Sequence, residues 1–413
     1  MKVAVFHPGT QHSWQTARAL QDLDRLAWYA TSIFYRPDRL PYSATRLMPR
    51  RARAALEREF ARFAPSGIDP ALVRTHGLGE WAERAALRLG WRQPSAWFDR
   101  AGNRAFERRV GADARREGEL ALWGYNGSSV RVFRDPDLAD CPRILDRTIG
   151  DWRAWNRVRA ELREAWPGWS ITDDHHHPPQ AIDADDREYA AADRIVCGSA
   201  FVRDTILAES PLEGLRDKLT VLPYCHDEEL FGGAPEPRPV ERGAPLRFLF
   251  VGHLSLRKGI QHVLEAISRL PASQASLTVA GPPLIAQGKL AHFRERIDYR
   301  GNLPRSAIPA LMREHHVLLL PSHFEGSAIT LLEALASGMA VIQSPQAGRG
   351  ASEETGIVIE RPDVRLLEAA MVELIENRGR LDAMRQAAWR GAEAHGFAAY
   401  RDNIAALLGD MGL

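Results

Sequence analysis

Val317-Leu318-Leu319-Leu320-Pro321-Ser322-His323-Phe324-Glu325-Gly326-Ser327-Ala328-Ile329-Thr330-Leu331-Leu332-Glu333-Ala334-Leu335-Ala336-Ser337-Gly338 changes its hydrophobic pattern across a single turn. The apolar run Val317–Leu320 predicts a buried parallel strand. Gly326 marks the turn, and the Ala/Leu-rich stretch after it predicts a helix that stops near Gly338. Glu325 then lies at the strand exit. Glu333 lies about two turns into the helix, roughly 10–12 Å further along its axis. The N–H groups of Gly326, Ser327, Ala328 and Ile329 would stand free at the helix start, at the positive end of its dipole, as a seat for phosphate. One carboxylate before such a seat and one after it can grip the two sugars of a nucleotide-sugar. The plain alternative is a loop glutamate and a helix glutamate at a chance spacing.

The same alternation extends outward from this segment. Residues 232–245, with four prolines and three glycines, can continue neither helix nor strand and mark a boundary. Beyond it the pattern predicts strands at 246–251, 276–280, 297–300, 317–320 and 340–343, with helices at 259–270, 308–315 and 330–337. The first half begins likewise, with a strand at 3–6, a helix at 14–21 and a strand near 28–33. Further strands are expected at 119–123, 143–145, 194–197 and 218–222. Strand–helix alternation of this kind predicts an α/β fold with parallel sheets covered by helices.

Pro-Ser before Glu325, and Glu-Ala-Leu-Ala-Ser-Gly-Met-Ala-Val-Ile from Glu333 onward, make the segment resemble the E-x7-E motif of retaining glycosyltransferases of GT-B fold, in particular family GT4 (group 1). The resemblance implies two Rossmann-like parallel-sheet domains facing a central cleft. Residues 1–233 would form the acceptor-side domain, 234–245 the linker and 246–396 the nucleotide-sugar-binding domain. The amphipathic stretch 397–413 would be the helix that crosses back to the first domain. It also implies that Glu325 contacts the transferred sugar, that Glu333 holds the nucleotide ribose, and that no catalytic metal or cofactor is needed.

Phe248-Leu-Phe-Val-Gly-His-Leu-Ser-Leu-Arg-Lys-Gly259 is the second chemical segment. A strand ends at Gly252, and Arg257 and Lys258 precede the next helix. Two cations there can neutralise a diphosphate as charge builds on a leaving group. The segment resembles the family's Gly-Arg-Leu-x-x-x-Lys-Gly pattern, with His253 where Arg is usual. Solvated surface cations are the alternative.

His7-Pro8-Gly9-Thr10-Gln11-His12-Ser13-Trp14 follows the first strand. With only Gly9 in place it is not a G-x-G-x-x-G fingerprint, which argues against a Rossmann dehydrogenase. By resemblance, Gly9 and Thr10 approach the donor phosphates, while Gln11, His12 and Trp14 meet donor sugar or acceptor. Helix capping is the rival role for Thr10 and Ser13. Asp151, after the strand near 143–145, occupies the region where many relatives carry a histidine reaching the reacting sugar. Its alternative is to cap a helix over 152–164. His175-His176-His177 lies between carboxylates and prolines. Adjacent imidazoles in an irregular segment rarely converge on one ion, so a solvated or acceptor-facing loop is expected rather than a metal site.

Composition sets the outer bounds. The chain has 413 residues, 45% hydrophobic and 26% charged, with a net charge of +1, so nothing global points to nucleic acid. Three cysteines lack metal spacing, and no apolar run reaches the length of a membrane span or a signal peptide, which predicts a cytoplasmic protein. Residues 36–116 carry 18 Arg and no Lys against 9 acidic residues, a local net of +9. Leu56, Phe60 and Phe63 share a helical face there, with Trp81, Trp91, Trp97 and Phe98 further on. Such a surface can lie on anionic lipid, in line with a lipid-linked or glycan acceptor; a buried apolar face with solvated arginines is the alternative. Two other functions fit the same motifs. A GT-B-fold nucleotide-sugar epimerase would act on donor alone, and a non-catalytic nucleotide-sugar-binding protein would bind without transfer.

Overall fold

Two parallel sheets organise the protein. A computed structural model describes residues 1–9, 12–36, 42–43, 49, 53, 67–76, 92–171 and 175–413. The first sheet contains β1 (Val3–Phe6), β2 (Leu26–Thr31), β3 (Val73–Thr75), β4 (Ala121–Tyr125), β5 (Arg143–Arg147), β6 (Arg194–Cys197) and β7 (Leu219–Val221). Their order is β3-β2-β1-β4-β5-β6-β7. The second contains β8 (Leu246–Val251), β9 (Ala275–Ala280), β10 (Ile297–Tyr299), β11 (Val317–Leu320), β12 (Ala340–Gln343) and β13 (Gly356–Val358), in the order β10-β9-β8-β11-β12-β13. Every pairing in the second sheet is parallel.

The central strands are buried on both faces, so they read as unbroken apolar runs. Phe248, Leu249, Phe250 and all of Val317–Leu320 are inaccessible to solvent. The helix Ile260–Arg269 turns Ile260, Val263, Leu264 and Ile267 onto this core. Chain order reverses direction across the second sheet between β8 and β11, and across the first between β1 and β4. Loops leaving the carboxyl ends of strands at such a switch point form the ligand crevice of open α/β sheets. The turn with Arg257 and Lys258 follows β8, and the Glu325 loop follows β11.

By its contacts the described chain divides into two compact units. One comprises residues 1–146, 183–196 and 401–413, the other 147–182 and 197–400. The expected irregular stretch 232–245 has neither helix nor strand and lies along the helix Arg378–Arg390. Trp389 Nε1 donates to Ala234 O at 2.7 Å, Gln386 Nε2 to Pro237 O at 2.9 Å and Arg385 Nη1 to Arg238 O at 2.7 Å, while the Val240 N–H donates to Asp382 at 3.0 Å. Proline-rich backbone cannot form a ladder, so side chains of the neighbouring helix satisfy its carbonyls.

Expected and observed strands coincide to within two residues at most ends. Two strands were not foreseen, β3 and β13, each three residues long at a sheet edge. Runs that short carry no periodicity to read. No described helix is long and apolar enough to cross a membrane. Of the basic stretch, Leu56, Phe60, Phe63, Trp81 and Trp91 lie outside the described residues, and the side chains of Trp97 and Phe98 are not described. Where the stretch is described, arginines pair with acids: Arg74 with Glu117 at 2.6 Å, and Arg115 with Asp135.

Candidate functional site

β11 ends at Leu320, and the chain turns at once toward the β8 loop. The His323 N–H donates to Arg257 O at 2.8 Å, and Arg257 Nη1 donates to Phe324 O at 2.9 Å. This close approach needs a glycine. Gly259 has φ +75°, and a Cβ there would stand 2.0 Å from Pro321 O. Gln261 and His262, on the helix that follows, carry the lock further inward. His262 and His323 meet through their Nε2 atoms at 2.8 Å, and burial holds their pKa values down to about 4 and about 3. One neutral ring therefore donates to the other.

Glu325 is held at the mouth of this lock, only 8% exposed. Its two carboxylate oxygens face Lys258 Nζ at 2.6 Å and Arg257 Nη1 at 2.9 Å. Burial alone would raise its pKa, but the attraction of the two cations outweighs it and brings the value to about 2. Arg257 and Lys258, expected to stand ready for a diphosphate, are thus ion-paired to the adjacent acid.

Gly326 makes the turn. A Cβ at this position would fall 1.7 Å from Thr148 O, and Ser199 Oγ donates to the Gly326 carbonyl. The helix Ile329–Ala336 starts three residues later with no side-chain cap. One expectation is corrected here. The Ala328 N–H does not stand free but donates to Ala347 O at 3.0 Å, because the loop after β12 folds over the helix start. Ser327 Oγ beside it is buried without a partner. Glu333 sits in the helix's second turn, 3% exposed, with Arg305 Nη2 at 2.8 Å. Burial drives its pKa up; Arg305 opposes that and Asp227 adds to it. The two acids flanking the turn are therefore tuned in opposite directions.

The remaining candidates are distributed as follows. Gly252, at the β8 exit, has φ +140° and donates its N–H to Ala280 O at 3.0 Å, and the stem of Lys258 lies beside it. His253 is exposed. Asp151 is the N-cap of the helix Trp152–Ala165: it accepts from the Arg153 N–H at 2.8 Å and pairs with the Arg153 guanidinium at 3.0 Å. In the other unit Gly9 follows β1, with its carbonyl 2.9 Å from His7 Nδ1. Thr10 and Gln11 lie outside the described residues. His12 precedes the helix Ser13–Asp22 without a side-chain capping bond, and Trp14 is half-buried on it. Ser13 does not cap this helix: it is the first helical residue, and its hydroxyl is 2.8 Å from Tyr29 Oη.

His175–His177 leans on the helix Trp152–Ala165 rather than forming a wholly solvated loop. His177 stacks on Trp152 with ring centroids 3.7 Å apart, and the His175 carbonyl accepts from Trp155 Nε1. Among the described residues no group of three or more His, Cys, Asp or Glu is placed to hold a metal ion. Sequence patterns passed over Ser199, Arg305 and the His262–His323 pair. Ser199 had a weak signal, a serine just ahead of an apolar helical run; Arg305 and the histidines had none.

Comparison with known proteins bears on this geometry. Residues 237–390 match the family described as "Glycosyl transferases group 1". Glycogen synthase of Mycobacterium tuberculosis is 29% identical over 146 residues, 33% of this chain and 35% of that protein. The chain thus spans about a third of the length of that curated relative in the match. Among solved structures, sucrose-phosphate synthase from Thermosynechococcus elongatus superposes with a TM-score of 0.66 at 14% identity, covering 100% of this chain and 99% of that one. Anabaena HepE, solved in complex with UDP, gives 0.61 at 13% identity, covering 99% and 100%. The fold is GT-B, with two Rossmann-like parallel-sheet domains.

Proposed function

We propose that this chain is a retaining, metal-independent glycosyltransferase that moves a sugar from a nucleoside diphosphate sugar to a glycan or lipid-linked acceptor. The observation that carries the reading is the buried pair Glu325 and Glu333 on either side of the Gly326 turn, with Arg257 and Lys258 on the first. The match over residues 237–390 and the nucleotide bound to a GT-B neighbour support it.

In this reading residues 246–396 bind the donor, and residues 1–233 with 397–413 serve the acceptor. Glu333 holds the ribose, displacing Arg305. Glu325 contacts the transferred sugar. Arg257 and Lys258 shift from Glu325 toward the diphosphate as its negative charge grows, which lowers the barrier because both cations are already held in place beside it. Gly326, Ser327 and Ile329 offer the helix start to the phosphates, together with Gly252 and His253 at the β8 exit and Gly9 and Thr10 from the first domain. The departing phosphate takes the proton of the incoming hydroxyl, which places attack and departure on one face and retains the anomeric configuration. Gln11, His12 and Trp14 face the acceptor. Asp151 positions the helix behind Phe324. The protein works in the cytoplasm, with residues 36–116 against anionic lipid where the acceptor is membrane-borne.

A thermal-shift screen of nucleoside diphosphates and their sugars tests the reading, because a ligand specific for the folded state raises stability as RT ln(1 + [L]/Kd). At least one should stabilise the chain, and Glu333→Ala should abolish the shift. No stabilisation by any of them removes the proposal. Incubating the stabilising donor alone and with glycan acceptors then separates transfer from epimerisation and from binding without chemistry.

A further inference from the structure

A pocket of about 450 Å³ opens where the proline-rich strap meets the helix Arg378–Arg390, and its walls are strongly cationic. Arg238, Arg247, Arg313 and Arg385 line it. Arg238, Arg247 and Arg313 form no ion pair among the described residues. Arg247 is tied down only through Nε, which donates to Glu314 O at 2.6 Å. Arg385 is 6% exposed; one nitrogen donates to Arg238 O, its Nε has no partner, and Asp382 stands 3.6 Å away. Behind it, Arg378 Nη1 is also buried without a partner. The acids of the pocket wall, Glu236 and Glu241, are both exposed. The chain as a whole is nearly neutral, so this excess is local.

His316 forms the floor, 4% exposed. Its Nδ1 accepts the Arg247 N–H at 3.1 Å, which places the proton of the neutral ring on Nε2 as a further donor. Burial and the neighbouring arginines keep the ring uncharged. Planar guanidiniums with spare N–H groups, around a half-enclosed space and outnumbering the carboxylates, match the oxygens of a phosphate.

We propose that this pocket binds a phosphate-bearing small molecule, at a site separate from the one assigned to the sugar donor. Ser337, also in its wall, donates through Oγ to the Glu333 carbonyl at 2.9 Å. An occupant therefore touches the end of the helix that carries Glu333. That contact gives it a route to alter donor affinity, and the coupling would be reciprocal.

Inorganic phosphate is the probe, titrated against the full chain at constant ionic strength by calorimetry. Arg247→Gln/Arg313→Gln alters two exposed side chains and should fold. It should weaken phosphate binding at least about tenfold, since each lost charge-assisted contact is worth that much or more. Lys258→Gln, in the donor site, should leave phosphate binding within about twofold in the same titration. Loss of binding in Lys258→Gln with retention in the double variant would overturn the proposal. So would an equal response to matched chloride, or no response at all.

Discussion

Glu325 shows how a buried carboxylate is kept ionised. Burial favours the proton, but Arg257 and Lys258 stand within 3 Å, and their attraction wins, giving a pKa of about 2. Glu325 therefore contributes no acid limb to a rate profile above about pH 4. Glu325→Gln should reduce kcat by roughly 10²–10³ while the chain still binds donor nucleotide, the scale expected when one preorganised electrostatic contact is lost. A kcat within twofold of the parent would remove Glu325 from the mechanism. Gly326 is constrained by space. Gly326→Ala drives a methyl into Thr148 O and should cost about 1–3 kcal/mol in urea unfolding. Gly379→Ala, on an open helix face, is the matched control and should stabilise by up to about 1 kcal/mol. Equal effects of the two substitutions would contradict the packing at the turn.

The helix Trp152–Ala165 sets the role of Asp151 more firmly than chemistry at the site does. Its carboxylate is 1% exposed and already occupied by the Arg153 amide and guanidinium. Asp151→Ala should cost about 1–3 kcal/mol through the lost cap and the stranded arginine. Asp151→Ser should restore most of that stability and retain activity. A stable but inactive serine variant would return Asp151 to the chemistry. Elements were the most legible level of this protein. β8, β11 and β12 match their expected bounds residue for residue, because a strand buried on both faces carries a mostly apolar run, broken here only by Arg247 and Gln343. β3 and β13 escaped because three edge residues need no such pattern. Of the two possible caps, Ser13 is not one, because its hydroxyl is taken by Tyr29, a partner 16 positions away.

For the whole molecule, buried neutral histidines set the response to acid. His7, His262, His316 and His323 have their pKa values lowered from 6.5 to about 4, 4, 3 and 3, all chiefly by burial. Between pH 6.5 and these values the unfolded chain binds protons that the folded chain refuses. Stability is therefore complete above pH 6.5 and falls as pH falls, by up to about 1.4 kcal/mol per pH unit for each histidine. Urea midpoints at pH 7 and pH 5 should show this decline, and His262→Gln should make it shallower; a flat profile would mean that the rings are charged in the fold. By itself the sequence determined the strand–helix alternation, the irregular stretch 232–245 and the spacing of Glu325 and Glu333, because these follow from local patterns of apolar, breaker and charged residues. Only the tertiary structure decided that Arg257 and Lys258 neutralise Glu325, that Arg305 covers Glu333, that Ala347 takes the Ala328 amide and that four arginines line one pocket. Those arrangements join residues up to about 150 positions apart in the chain. Burial then decides which charge survives, and no local pattern records it.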